Sequence, residues 1–273
     1  MSNPTSRPSR VPGRISGRIP GRWCALIFPI LLGIVGWPVP SHAQSAGVDP
    51  QAVAILKRMT DYLAGLKQFS VDTRSSIDAV LTSGQKLQFD NGVTATVQRP
   101  NKLYARRKGD LVNQAFYYDG KTLSLSNPDD KYYATVAAPA SLDEMLDFAR
   151  TKLGVFIPAG DLLYKNAFAL LTQDVKAGFV VGTSVVDGVR CDHLAFHGPE
   201  VDWQVWIEEG EKPLPRKYLI TSTQNAGSPQ FTILMSNWNT ALQLTDFTFA
   251  FTPPKGARKI DFLQLTAGGA SQR

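Results

Sequence analysis

The sequence predicts an α+β domain built on one long, curled antiparallel sheet. Three observations predict it. Val180 to Ile220 reads as four consecutive strands, with turns at Asp187-Gly188, Gly198-Pro199 and Gly210 to Pro213. An Asp-Gly pair between β-branched residues is the strongest short-range hairpin signal. Phe69 to Val136 gives an earlier run of strands with one apolar and one polar face, as expected of a meander wetted on one side. A helical interlude separates the two runs, so strands, helices and strands follow one another along the chain.

Taken in order, the chain opens with a leader. Arg7, Arg10, Arg14, Arg18 and Arg22 stand in a segment without acids, followed by an apolar run from Trp23 to Val39 and the small-x-small site Ser41-His42-Ala43. Together these read as a cleaved secretory signal peptide over residues 1–43. Pro29 and Pro38 break the apolar run, whereas a membrane span needs roughly 20 continuous apolar residues, so the expectation is not an integral membrane protein. Cleavage after Ala43 removes five of the 29 basic residues and none of the 23 acids, so the net charge falls from +6 to +1. The basic character belongs to the leader, and the usual inference from a basic chain to nucleic acid does not apply. Only Cys191 remains after cleavage, which excludes an intramolecular disulfide in an oxidising compartment.

Residues 44–264 are expected to form one domain. Its first helix starts at Asp49-Pro50, an N-cap acid followed by proline at the first helical position, and ends near Gln68. Val53, Leu56, Met59, Leu63 and Leu66 give it one apolar stripe. The long strand that opens at Phe69 alternates Val71, Thr73 and Ile77 with Asp72, Arg74 and Asp78, then turns at Ser83-Gly84. Asn91-Gly92 predicts a bulge or turn between Leu87–Phe89 and Val93–Val97. Further strands are expected near 102–108, 111–118, 121–126 and 131–136.

Ser141-Leu-Asp-Glu144 is a capping box that opens a helix over Leu142 to Leu153, closed by Gly154. Ala159 to Val175 reads as one or two short helices. This interlude is rich in large apolar residues, among them Met145, Phe148, Phe156, Leu162 and Phe168. Two readings stay open for it: a helical cap on the sheet, or a movable lid over an apolar cavity. Beyond the central strands, Gln230 to Asn239, Thr245 to Thr252 and Lys259 to Leu263 are expected strands, and residues 265–273 a flexible tail.

The second meander holds Gly188-Val-x-Cys-x-x-Leu-x-Phe196, Asp202-x-x-x-Trp-Ile207 and Leu214-Pro-Arg-Lys217, and the chain also carries Tyr118-Asp-Gly-Lys-Thr122 and Asp161-Leu-Leu-Tyr164. With its order of elements, the chain resembles a family of predicted periplasmic proteins of unknown function related to the Lol-type lipoprotein carriers. The resemblance implies an unclosed β-barrel of about eleven strands with helices on its concave side. It implies a periplasmic protein, and it supplies no catalytic residues. The carriers hold lipoprotein acyl chains in the concavity, and a related regulator senses envelope stress with a similar domain. Those carriers also rely on an inward arginine, for which the sequence alone offers no aligned position.

Alternation along strands puts Trp203, Val205 and Ile207 on one face. Val71, Ile77, Leu87, Phe89 and Val97 line the same concavity if the sheet curls, with Phe148, Leu162 and Phe168 roofing it. These eleven residues are the candidate ligand-binding set, and replacing Trp203 with aspartate is expected to abolish binding of a fatty-acid probe. A sealed core would carry the same pattern. Cys191, His193 and His197 share a strand face that could in principle hold zinc or copper with a fourth ligand such as Glu200, but the reading preferred is a buried thiol and two hydrogen-bonded histidines. No phosphate loop, HExxH or G-x-S-x-G motif is present. The expectation is a non-enzymatic periplasmic carrier of a lipid or acylated ligand, without cofactor or metal. The alternative is an envelope interaction or stress-sensing domain that docks on a protein partner.

Overall fold

The computed structural model describes residues 47–262 apart from Leu111, Phe156 and Pro158. The leader expected over 1–43 and the tail expected over 265–273 lie outside the described residues. Helix α1 spans Pro50–Gly65; Asp49 caps it by accepting from Gln51 N, and Ile55, Leu56, Met59 and Leu63 form its buried face. The strands β1 (Gln68–Val80), β2 (Lys86–Gln98), β3 (Lys102–Gly109), β4 (Asn113–Tyr118), β5 (Thr122–Asn127) and β6 (Tyr132–Ala137) follow as a meander. Helix α2 (Leu142–Leu153) comes next, then a 3₁₀ turn at Gly160–Leu163 and helix α3 (Ala167–Thr172). The second meander consists of β7 (Ala177–Val186), β8 (Val189–His197), β9 (Val201–Glu208), β10 (Pro215–Ser222) and β11 (Gln230–Asn239), and β12 is the two-residue strand Arg258–Lys259.

The twelve strands among the described residues form one sheet, in the order β12-β6-β5-β4-β3-β2-β1-β11-β10-β9-β8-β7. The join of β1 to β11 fuses the two meanders, and β12 and β7 end the ladder without pairing to each other, so the curled sheet stays unclosed. The expected half-barrel is the fold, with twelve strands against the expected eleven or so. Local chemistry explains its turns. Asp187 and Gly188 both have positive φ, as the tight hairpin between β7 and β8 requires. Ser141 Oγ accepts from Glu144 N while donating to the Glu144 carboxylate, and Gly154 closes α2 in the left-handed region at φ 64°.

Three expectations are corrected. The last strand, expected over Lys259 to Leu263, is only the pair Arg258–Lys259, and residues 260–262 lie outside it. Asn91-Gly92 does not interrupt its strand, because β2 pairs continuously there with Ser75 and Arg74 on one side and with Gly109 and Lys108 on the other. Thr245 to Thr252 is not a strand. It contains a 3₁₀ turn at Asp246–Thr248, and its phenylalanines alternate because Phe249 is buried and Phe251 packs on Tyr117 and Tyr133, while Phe247 is exposed. Side-chain packing without ladder pairing produced a strand-like pattern. Among the described residues no helix is long and apolar enough to cross a membrane.

Candidate functional site

The concave side of the sheet is covered differently at its two ends. Over β7–β9, helix α1 packs directly, with α3 against it. Here Phe196 stacks on Trp203 at 4.1 Å, and Tyr218 meets Trp203 edge-on at 5.9 Å. Leu194, Val205 and Ile207 are fully buried beside them. That end is solid core.

Over β1–β5 the covering is looser. Antiparallel register aligns Val71, Ala95, Ala105 and Phe116 in one cross-strand row. Two alanines side by side leave a hollow in the floor. The row behind, Phe69, Val97, Leu103 and Tyr118, is fully buried and closes the hollow at its inner end. Met145 and Ala149 of α2 form its roof with Val155, Ile157, Leu162 and Leu163 of the following segment. The result is an almost wholly apolar cavity of about 150 Å³, into which Trp238 of β11 also projects. A cavity of this size lined by Leu, Ile and Phe stays dry and binds benzene in another protein.

At the outer end the lining turns polar, with Thr73, Ser75 and Arg107. Arg107 Nε donates to Asn91 Oδ1 at 3.3 Å, and burial lowers the guanidinium pKa with no acid opposing the shift. Arg99 also points inward. Its Nη2 donates to Leu163 O at 2.7 Å, while Nε and Nη1 are buried without partners.

The roof segment is pinned by polar contacts at several points. Tyr164 donates to Asp147 at 2.8 Å, and burial with that carboxylate pushes its phenol up to about 12. Tyr218, on the floor, donates to Asp161 of the 3₁₀ turn at 3.1 Å. The Asp161 carboxyl is desolvated, although the residue as a whole keeps some solvent contact. Burial therefore raises its pKa despite the opposing bonds from Tyr218 and from backbone N–H groups. A carboxyl whose pKa is raised on folding holds a proton that the unfolded chain has already lost. Its contribution to stability consequently declines as pH rises above the ordinary carboxylate value near 4. Asp161→Asn keeps an acceptor for Tyr218 and removes the titration. The stability of the variant relative to the parent is expected to increase from pH 4.5 to pH 7 in urea unfolding; a pH-independent difference would contradict the assignment.

Of the eleven sequence-predicted residues, Val71 and Leu162 line the cavity. Val97 lies in the sealed row behind it. Ile77, Leu87 and Phe89 share the concave face but lie beyond the mouth on the β1–β2 arm, where Ile77 and Leu87 are exposed. Phe148 and Phe168 pack half-buried against the core. Trp203, Val205 and Ile207 do not reach the cavity, because α1 and its neighbours fill the space above them. Aspartate at Trp203 would therefore disrupt the core rather than report on a ligand. Phe156 lies outside the described residues. Sequence reasoning missed Ala95, Ala105 and Arg107, whose signal was alternation within β2 and β3.

Among the described residues no three His, Cys, Asp or Glu side chains are placed together to hold an ion, and Cys191, His193 and His197 each have other contacts. Cys191 is buried, which raises its thiol to about 11, far from a reactive thiolate. His193 stacks on Trp206 at 4.0 Å and bonds Gln204, and His197 pairs with Asp202.

Among solved structures, the chain is similar to LprF from Mycobacterium bovis, with 18% identity over 78% of this chain and 100% of that one and a TM-score of 0.46. It is similar to the lipoprotein LppX from Mycobacterium tuberculosis, with 18% identity, coverage of 72% and 100%, and a TM-score of 0.43. A LolA superfamily protein from Nitrosomonas europaea shows 12% identity, coverage of 73% and 97%, and a TM-score of 0.37. No curated protein matches the chain by sequence. A family model described as predicted periplasmic protein (DUF2092) matches residues 52–263, and the chain belongs to that family.

Proposed function

We propose that the protein is a periplasmic binding or carrier protein that takes the apolar part of an amphiphile into the cavity between β1–β5 and α2. The observation that carries this reading is the paired Ala95 and Ala105, which leave an apolar hollow under a roof built to cover it. Each methylene moved from water into such a hollow contributes roughly 0.8 kcal/mol. The resting volume suits a short tail or the end of a longer one. A longer chain needs more room than the resting cavity of about 150 Å³ offers. Nothing in this reading needs a bond made or broken in the ligand.

The test is purification from the envelope fraction of cells expressing the full chain, with mass spectrometry of co-purifying lipids and titration with a fluorescent fatty acid. Lipid in the preparation, or saturable probe binding, is the expected result. A lipid-free protein that ignores the probe would favour docking on a protein partner. That second reading has its own observation: β7 is an uncharged edge strand on which Val181 and Val185 are 49% and 66% exposed.

A further inference from the structure

The concave face changes character in steps of two residues along β1–β4, each step about 7 Å. The sealed row of Phe69, Val97, Leu103 and Tyr118 gives way to the hollow row at Ala95 and Ala105. The next row outward is Thr73, Val93, Arg107 and Gln114. Greasy end, empty middle and polar mouth form a gradient along one line.

In that outer row one cation has no counter-charge and one buried hydroxyl has no hydrogen-bond partner. Arg58, Arg74, Arg150, Arg190 and Arg216 each face a carboxylate. Arg107, like Arg99, Arg106 and Arg258, forms no ion pair among the described residues, but it lines the cavity, is partly desolvated, and its one hydrogen bond goes to a neutral amide. Thr73 Oγ1, one strand beyond Val93, is buried in the cavity wall with no hydrogen-bond partner. A desolvated cation without a counter-charge is costly, and so is a buried hydroxyl without a partner. A guanidinium matches carboxylate and phosphate oxygens in two-pronged geometry.

We propose that the cavity mouth is an oxyanion subsite, where Arg107, assisted by the Thr73 hydroxyl, receives the carboxylate or phosphate headgroup of an anionic amphiphile whose tail runs inward over Ala95 and Ala105. This rests on the amphiphile-binding reading and narrows it, since neutral lipids leave Arg107 unpaired. No covalent step is involved.

The test compares decanoate, decyl phosphate and 1-decanol on the protein purified from cells expressing the full chain, at pH 8 and low salt. Tryptophan fluorescence serves as the readout, because Trp238 lines the cavity. At least one of the two anions is expected to bind about tenfold or more tightly than the alcohol, the range of a charge-assisted hydrogen bond. Their order tells carboxylate from phosphate. Arg107→Gln is expected to erase the preference of anion over alcohol, while Arg107→Lys keeps most of it. Thr73→Val is expected to weaken anion binding severalfold. Equal affinities for anions and alcohol in the unmodified protein would overturn the oxyanion subsite while leaving the cavity reading intact. A preference that survives Arg107→Gln would overturn it as well. Failure to bind any of the three compounds would sink both readings together.

Discussion

Replacing Ala105 with phenylalanine is expected to weaken fatty-acid probe binding at least thirtyfold, a loss of about 2 kcal/mol or more, while the protein stays folded. Ala105 sits in the floor between Ala95 and Phe116, and a ring there points into the space a ligand tail would use. Two effects compete for the stability of the variant. Filling about 150 Å³ of void at roughly 24 cal/mol per Å³ sets an upper bound of about 3.6 kcal/mol on the gain. Overpacking against Phe116 and Met145 opposes it by roughly 1–3 kcal/mol. The two nearly balance, so the urea midpoint is expected to remain close to that of the parent. Arg106→Ala is the matching control, because Arg106 projects from the opposite face of β3 and is exposed. An Ala105→Phe protein that binds the probe as well as the parent would show that the tail lies somewhere else.

Much of this fold was legible in the sequence, and the reason is periodicity. Turn residues such as Asp187-Gly188 fix hairpins locally, and alternation fixes which side of a strand is apolar. Consecutive hairpins then determine most of the strand order without long-range information. The join of β1 to β11 is a long-range contact, and no local signal announces it. The cavity was harder to read for a related reason. Trp203, Val205 and Ile207 carry the same alternation as Val71 and Thr73. What separates them is the cover: α1 fits closely over the first group, while α2 bridges the second. Small residues mislead further. Ala95 and Ala105 are unremarked within their own strands and become a hollow only when register sets them side by side. In Arg106-Arg107-Lys108, alternation forces neighbouring arginines to opposite faces, and Arg107 is the one that turns inward.

Truncating Trp203 to alanine is expected to lower stability by about 3–5 kcal/mol, a large part of the roughly 5–15 kcal/mol that holds a domain together. The indole is 5% exposed, lies flat on Phe196 and meets the edge of Tyr218, so its removal leaves a void that helix α1 cannot collapse to fill. Trp203→Phe keeps an aromatic on Phe196 and should lose less. Aspartate at the same position would bury a carboxylate with no partner, and binding would then vanish through unfolding alone. Alanine is the informative replacement because it separates the two ends of the concave face. If β8–β10 form solid core, the Trp203→Ala protein shows a much lower urea midpoint, yet it binds the probe normally in water wherever it remains folded. If a ligand trough instead runs the full width beneath α1, the variant loses probe affinity with little change in midpoint, since an already open space gains only more volume. The close stacking of Phe196, Trp203 and Tyr218 leaves no such space, and the stability loss is the outcome this packing requires.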